Sequence, residues 1–277
     1  MSVITETLDV PGAILHYQLR GRGPLLLISE SGEGDADRSA DLVSQLADTY
    51  TVLTYDRRGL SRSIPETSGR GATLAEHADD VHRLLCAVTD TPAAMLGCSF
   101  GAVIGLHTVL RHPEQVHTLV AHEPVAPVLL SADQRARHER ELADLRDLYV
   151  REGLAATLPQ LASALGIDPA HGDAEPGLTP QPIDDRRKAN FDHFIRRDFA
   201  AIIDDTLDTA GLATVEARII PAAGRTTPRT VFDHQCAQAV ADLVGREVTH
   251  FPGGHNGNTT HPRAYAERLR SVLGSGR

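Results

Sequence analysis

The sequence contains no tryptophan, and aromatic residues make up only 4% of its 277 residues. Bases and sugars are commonly bound by stacking on aromatic side chains, and this composition offers no such platform. The formal net charge of −10 also argues against nucleic acid or anionic lipid as a partner. We therefore expect no nucleic acid and no membrane among the partners of this protein.

Cysteine is scarce as well. The three residues, Cys86, Cys98 and Cys236, are odd in number and show no C-x-x-C spacing. They fit a reducing compartment better than a disulfide framework, and they offer no metal site for zinc. No charged segment followed by a long apolar run opens the chain, and no apolar run is long enough to span a membrane. We expect a cytoplasmic protein, and the sequence leaves open whether it forms a homo-oligomer.

Short apolar runs rich in β-branched residues alternate with amphipathic segments. Two strands flank the turn at Pro11 and Gly12, and buried strands follow at 24–29 and 50–56. Residues 73–88 form an amphipathic pattern that opens on a capping box, Thr-x-x-Glu. Two antiparallel strands followed by alternating strand and helix predict a mostly parallel, doubly wound α/β sheet.

The alternation stops in the middle of the chain. From about 128 to 212 we find helical segments and one stretch rich in Pro, Gly and Asp, but no convincing strand; strands and helices resume at 216–224. We expect an α/β core of residues 1–127 and 213–277, interrupted by a helical cap at 128–212. An insertion above the carboxyl ends of the strands would act as a lid.

The segment 93–106 reads AAMLGCSFGAVIGL, an apolar run that becomes helical across Gly-Cys-Ser-Phe-Gly. A G-x-S-x-G match alone is weak evidence, because chance produces it in many chains. Its position between a buried strand and a helix strengthens it, since this sharp turn lifts the serine above the sheet and needs glycines on both sides. We predict that Ser99 is a nucleophile; the alternative is a glycine-rich turn with a purely structural role.

A serine hydroxyl needs a base to take its proton. Among the 14 histidines we favour His255, which lies in the loop HFPGGHNGNTTHP after the last predicted strand, with glycines on both sides. Such a loop allows the imidazole to reach over the sheet to Ser99. His250 and His261, at the two ends of the loop, are the alternatives.

A carboxylate should orient this histidine and stabilise its cation. The turn after strand 216–224 is the usual place, but Arg-Thr-Thr occupies it, and Asp233 is expected on the following helix. Glu123 stands at the end of strand 117–123, and adjacent parallel strands end close together. We predict that Glu123 is the acid; the alternative is that it pairs with an arginine at the hinge of the cap.

Negative charge that develops on a carbonyl oxygen needs preorganised donors. We expect one to be the backbone N–H of Phe100, at the start of a helix whose dipole helps. The other should come from Glu30 or Ser31 in the loop SESGEGD, and we favour Ser31.

With these residues in place, the chain resembles the α/β-hydrolase family. The similarity rests on GCSFG as the nucleophile elbow, YDRRGLSRS after the strand at 50–56, and PGGHNG as the histidine loop, in the order serine, acid, histidine. The resemblance implies an eight-stranded sheet with a cap, no cofactor, and hydrolysis of an ester, thioester, lactone or amide. A minority of the family carries the acid one strand earlier than usual, and Glu123 resembles that arrangement.

We therefore predict a serine hydrolase with a Ser99–His255–Glu123 triad that acts on a small-molecule acyl substrate. Phe191, Phe194 and Phe199 in the cap would shape an apolar acyl pocket, although core packing explains them equally well. Two rival hypotheses remain: the protein is a non-hydrolytic lyase or cyclase of specialised metabolism, or it is a non-catalytic protein that binds a ligand in the lidded pocket.

Overall fold

A computed structural model describes residues 3–65, 71–168, 172–215 and 218–274. Within these ranges nine strands form one sheet. The strands are β1 (Val3–Val10), β2 (Ala13–Gly21), β3 (Leu25–Ser29), β4 (Thr51–Tyr55), β5 (Ile64–Pro65), β6 (Ala93–Cys98), β7 (Val116–His122), β8 (Arg218–Gly224) and β9 (Thr249–Phe251). The first two residues of the predicted strand 216–224 lie outside the described residues.

Eight of these strands follow one another across the sheet in the order β1-β2-β4-β3-β6-β7-β8-β9, and the two-residue strand β5 pairs with β2. β1 and β2 form an antiparallel hairpin, and β2 pairs antiparallel with both β4 and β5. The remaining pairings, which follow the order β4-β3-β6-β7-β8-β9, are all parallel. The mostly parallel α/β sheet predicted from the sequence is confirmed. Because the parallel strands point the same way, the segments that follow them meet at one edge.

Eleven α-helices accompany the sheet in the described ranges. They are α1 (Ala40–Leu46), α2 (Leu74–Val88), α3 (Phe100–Arg111), α4 (Ala132–Glu152), α5 (Leu154–Ala164), α6 (Asp185–His193), α7 (Phe199–Ile203), α8 (Thr209–Leu212), α9 (Phe232–Val244), α10 (Gly257–Thr260) and α11 (Pro262–Gly274). A π-helical turn, Phe194–Asp198, joins α6 to α7. The Thr73–Glu76 capping box opens α2 with both of its reciprocal hydrogen bonds.

The helices cover both faces of the sheet. Side chains alternate along a buried strand, so Leu26 and Ile28 of β3 face one helical layer while Leu27 faces the other. The first layer contains α1 and α11, and the second contains α2, α3 and α9. Both faces of β3 are covered by helices, which explains why residues 25–28 form a continuous hydrophobic run rather than an alternating pattern.

The described residues between β7 and β8 form helices, turns and irregular segments, and no strand is found among them. Side chains of α4, α5, α6 and α7 pack over the carboxyl edge of the sheet and close a cavity there. We interpret this helical layer as the cap. None of the helices in the described ranges combines the length and the apolar composition needed to cross a lipid bilayer.

Candidate active site

Ser99 stands at the sharp turn between β6 and α3. Cys98 ends the strand and Phe100 begins the helix, so the turn is a single residue long. The backbone of Ser99 has φ 56° and ψ −114°, a conformation that non-glycine residues avoid at a cost on the order of 1–3 kcal/mol. Its amide donates to the carbonyl oxygen of His122 on the neighbouring strand at 2.9 Å. The sheet therefore holds the serine in a strained conformation at its carboxyl edge.

The glycines on either side of Ser99 are needed for close packing. A Cβ atom on Gly97 would lie 2.5 Å from the carbonyl oxygen of Gly101 and 2.6 Å from the Cα of Ala102. A Cβ on Gly101 would overlap the backbone of Ser29 at the end of β3. Any side chain at either position would force α3 away from the sheet, as the G-x-S-x-G motif predicts.

His255 lies in the loop between β9 and α10, and its side chain is buried. Its Nδ1 lies 2.7 Å from Oε2 of Glu123 in hydrogen-bonding geometry. His255 and Ser99 line the same cavity. Among the described residues, the alternatives His250 and His261 do not line it, and His261 lies 3.2 Å from a carboxylate oxygen of Asp173 instead. The structure thus brings Glu123 and His255 into contact and places Ser99 on the wall of the same cavity.

Glu123 follows β7 directly and is fixed by the backbone of β8. Its φ is 46°, and its amide donates to the carbonyl of Ala222 at 2.9 Å. Oε1 accepts the amide N–H of Gly224 at 2.8 Å, which leaves Oε2 for His255. The carboxylate is therefore engaged by the backbone and by the histidine, and no arginine in the described parts of the chain pairs with it.

A second carboxylate that the sequence prediction passed over lies beside the same imidazole nitrogen. Oδ2 of Asp233, in the first turn of α9, is 2.6 Å from Nδ1 of His255. Asp233 is completely buried, and neither of its oxygens makes a hydrogen bond of good geometry with a described residue. The signal was its place in the helix that follows β8, because the first turn of that helix lies next to the position where an acid is usual.

The three groups shift one another's proton affinity. Burial lowers the pKa of His255, but the charges and hydrogen bonds of Asp233 and Glu123 outweigh it and raise that pKa strongly. Burial tends to raise the pKa of Glu123, but hydrogen bonding to His255 and to the Gly224 amide, with the charge of His255, lowers it. Burial raises the pKa of Asp233, and the adjacent charge of Glu123 raises it further against the opposing effect of His255. The pKa of Glu123 is therefore lowered and that of Asp233 is raised, although both carboxyls contact the same nitrogen.

Two backbone amides were predicted to form an oxyanion hole. Phe100 is the first residue of α3, where the amides point out of the helix before its internal hydrogen bonds begin. Ser31 lines the cavity together with Ser99 and His255. The Glu30 side chain, in contrast, is fully buried and turned away from the cavity toward Asn258, whose Nδ2 lies 3.3 Å from Oε2. Burial raises the pKa of Glu30 to about 7.

A buried ion pair connects the cap to the loop that follows β3 and contains Ser31, which we call the Ser31 loop. Arg57 Nη2 lies 2.9 Å from Oδ2 of Asp198 in the π-helical turn, and both side chains are almost completely buried. The same guanidinium donates to the carbonyl of Ser31 at 3.1 Å and to that of Gly32, and it stacks 4.7 Å above the ring of Phe100. One side chain therefore contacts the cap, the loop after β3 and the first residue of α3.

The cavity above Ser99 has a volume of about 430 Å³. Aliphatic and aromatic side chains from the cap dominate its wall, and among them are Leu142, Leu145, Leu161, Phe191, Phe194 and Phe199. The charged groups in the wall are largely paired with one another; Arg187 lies 2.6 Å from Glu33, for example. The shape and lining suit a small molecule with an apolar portion.

Two groups among the described residues have the composition of a metal site. The first is the cluster of Glu123, Asp233 and His255, but its N–O separations of 2.6 and 2.7 Å are hydrogen-bonding distances. Two donors on one zinc ion, each about 2 Å from it, would lie farther apart. The second group, His82, His112 and Glu114, belongs to the α2–α3 side of the molecule and does not line the cavity.

A doubly wound sheet of this strand order, with a strained serine between a buried strand and a helix, is the architecture of the α/β hydrolases. The family model described as "alpha/beta hydrolase fold" matches residues 24–168, more than half of the chain. The chain belongs to this family.

Individual relatives extend the match over the whole chain. It is 38% identical over 277 residues to the uncharacterized hydrolase YraK of Bacillus subtilis, covering 99% of this chain and 97% of that protein. It is 29% identical over 247 residues to a Yersinia enterocolitica protein provisionally named carbamate hydrolase RutD, covering 83% and 80%. The crystal structure of a hydrolase from Pseudomonas aeruginosa superposes with a TM-score of 0.74 at 25% identity, covering 98% of each chain.

Proposed function

We propose that the protein is a serine hydrolase that cleaves a small-molecule ester, thioester or lactone through a covalent acyl-enzyme. The observation that carries this proposal is the 2.7 Å hydrogen bond from His255 to Glu123 at the wall of the cavity that Ser99 also lines. A strained serine, a histidine and a buried carboxylate are the parts that activate a hydroxyl as a nucleophile.

In this mechanism Ser99 Oγ attacks the acyl carbonyl and His255 Nε2 takes its proton. Glu123 keeps the Nδ1 proton in place and stabilises the imidazolium that forms. The amides of Phe100 and Ser31 donate to the oxyanion, and His255 then returns the proton to the leaving oxygen or sulfur. A water molecule activated by His255 cleaves the acyl-enzyme in the second half of the cycle.

The cavity favours substrates with an apolar acyl group, because its wall is mostly aliphatic and aromatic. A carbamate is a second candidate substrate, which the provisional name of the Yersinia enterocolitica relative favours. Both candidates require the same attack by Ser99 and differ only in the bond that breaks. We place the reaction in the cytoplasm, on the support of the three free cysteines.

Steady-state hydrolysis of p-nitrophenyl acetate, butyrate and octanoate, and of a p-nitrophenyl carbamate, tests the proposal. We expect turnover of at least one ester, with butyrate or octanoate preferred to acetate. Ser99→Ala should lower kcat by roughly 1,000-fold or more, and His255→Ala by a similar factor, because the members of a triad act as a unit.

Matched controls are Ser44→Ala and His117→Ala, which alter exposed residues of the same types elsewhere on the surface. Both should keep the wild-type rate. Turnover that survives Ser99→Ala would refute the proposal, and a carbamate hydrolysed much faster than every ester would establish the second candidate.

A further inference from the structure

The unusual feature of this site is that two carboxylates meet one imidazole N–H. Glu123 Oε2 lies 2.7 Å and Asp233 Oδ2 2.6 Å from Nδ1 of His255. A nitrogen of this kind carries a single hydrogen. The hydrogen points at Glu123, since that contact alone has hydrogen-bonding geometry.

Asp233 is consequently left with two oxygens that are completely buried and lack a donor among the described residues. An ionised carboxylate in that position would be costly, because it is desolvated and lies next to a second anion. A proton on Asp233 would remove this cost, and Glu123 is the neighbouring carboxylate that could accept it, because the donor atoms of Glu123, Asp233 and His255 all lie within 4.8 Å of one another. Hydrogen bonding between these two carboxyls is among the interactions that raise the pKa of Asp233.

The protonation state of Asp233 also decides whether His255 can work. Two carboxylate charges against one imidazole would hold it as the imidazolium ion, which has no lone pair on Nε2 to accept the proton of Ser99. With one of the carboxyls protonated, the imidazole faces a single negative charge, as in an ordinary triad.

The other titratable groups around the site add no charge to the cluster of Glu123, Asp233 and His255. They come from β6, β7, α9 and α11 and comprise Cys98, His122, His234 and Tyr265. Burial lowers the pKa values of both histidines and raises those of the thiol and the phenol, so all four are neutral near neutral pH. The proton balance therefore lies within Glu123, Asp233 and His255.

We infer that Asp233 and Glu123 share one proton, and that Asp233, as its holder, is a positioning residue that keeps His255 neutral and fixes the orientation of Glu123. The inference rests on the proposed function for its catalytic consequence, but the shared proton is a property of the folded protein alone. The proton stays between the carboxyls during turnover while His255 Nε2 exchanges a different one with Ser99.

Infrared difference spectroscopy tests the shared proton without any substrate. The measurement uses the Glu30→Gln background, because Glu30 is the other buried carboxyl with a pKa near neutrality. We expect the C=O stretch of a protonated carboxylic acid at pH 7 that shifts in D2O and disappears in Asp233→Asn. A spectrum without that band would overturn the inference.

The pH dependence of kcat/KM tests the catalytic consequence. Asp233→Ala removes the donor to Glu123 and should lower kcat by about ten-fold, whereas Asp233→Asn, whose amide still donates, should recover most of that loss. In Asp233→Asn the acidic limb should stay within about half a pH unit of the wild-type limb, because a protonated carboxyl and an amide are both neutral. A limb that moves down by about one unit or more in both variants would show that Asp233 is an anion.

The two proposals fail in distinguishable ways. A protonated Asp233 in a protein that hydrolyses none of the substrates would leave the shared proton standing and refute the serine hydrolase. Ser99-dependent hydrolysis without the infrared band would do the reverse.

Glu123→Gln adds an independent check. Asp233 can then ionise and accept the hydrogen bond from His255, so this variant should keep more activity than Glu123→Gln combined with Asp233→Asn. Equal activities of the two variants would count against the inference.

Discussion

At Ser99 and Glu123 the backbone adopts φ values of 56° and 46°. Together with Ser61 they are the non-glycine residues with positive φ among the described parts of the chain. Such conformations persist only where the surroundings enforce them, and here the amides of both residues are fixed by hydrogen bonds to neighbouring strands. The strain falls on two of the three residues to which the sequence assigns the chemistry.

Glu30 gives a residue-scale prediction for stability. Burial raises its pKa from 4.5 to about 7, so the folded protein holds this proton over a pH range in which the unfolded chain has released it. The free energy of unfolding should therefore fall as the pH rises from about 4.5 to 7, and Glu30→Gln should remove a cost of about 3 kcal/mol at pH 8.

Urea unfolding of wild type and Glu30→Gln at pH 5 and pH 8 measures this effect. The variant should be the more stable protein at pH 8, and the difference should shrink toward pH 5. Glu247→Gln, at an exposed position, is the matched control and should show no such trend. A Glu30→Gln variant less stable than wild type at pH 8 would contradict the prediction.

At the scale of elements, the π-helical turn between α6 and α7 places Asp198 against Arg57. Single π-type turns within helices interrupt the regular backbone bonding and often occur at functional sites. This one delivers a carboxylate from the cap to a guanidinium that also binds the carbonyls of Ser31 and Gly32. The Arg57–Asp198 ion pair thus links the cap to the loop that holds Ser31, in addition to the ion pair between Arg187 and Glu33.

Asp198→Asn should weaken this link between the cap and the loop. It leaves the Arg57 charge buried without its partner, which typically costs about 3–5 kcal/mol of stability. We also expect a lower kcat for a good ester, since the Ser31 loop loses part of its support. The matched control is Asp185→Asn, at a fully exposed carboxylate in the same helical segment. Equal unfolding midpoints and rates for the two variants would show that the ion pair does not fix the loop.

At the scale of the whole molecule, the parts predicted from the sequence are those with a local signature or a simple topological rule. The glycines around Ser99, the glycine-rich loop of His255 and the position of Glu123 after a buried strand are visible in short windows. Because parallel strands end at one edge of a sheet, the sequence also predicts that these three segments lie close together in the fold.

The remaining features depend on side chains that meet only in the folded chain. Arg57 and Asp198 are 141 residues apart, and no spacing rule connects them. Asp233 stands in the first turn of the helix after β8, which marks it as a candidate, but the ordinary amphipathic pattern of that helix does not show that its side chain turns toward His255. Burial without a hydrogen-bond donor is what distinguishes it, and burial of a single polar side chain is a property of tertiary packing.

The central claim is that Ser99 is a nucleophile activated by His255. The most direct test is intact-mass measurement after exposure to a phosphonylating probe specific for activated serines, applied to wild type, Ser99→Ala, His255→Ala and the control Ser44→Ala. We expect one probe per molecule on wild type and on the control, and none on the Ser99 and His255 variants. A folded wild type that takes up no probe, or labelling that persists in Ser99→Ala, would contradict the claim.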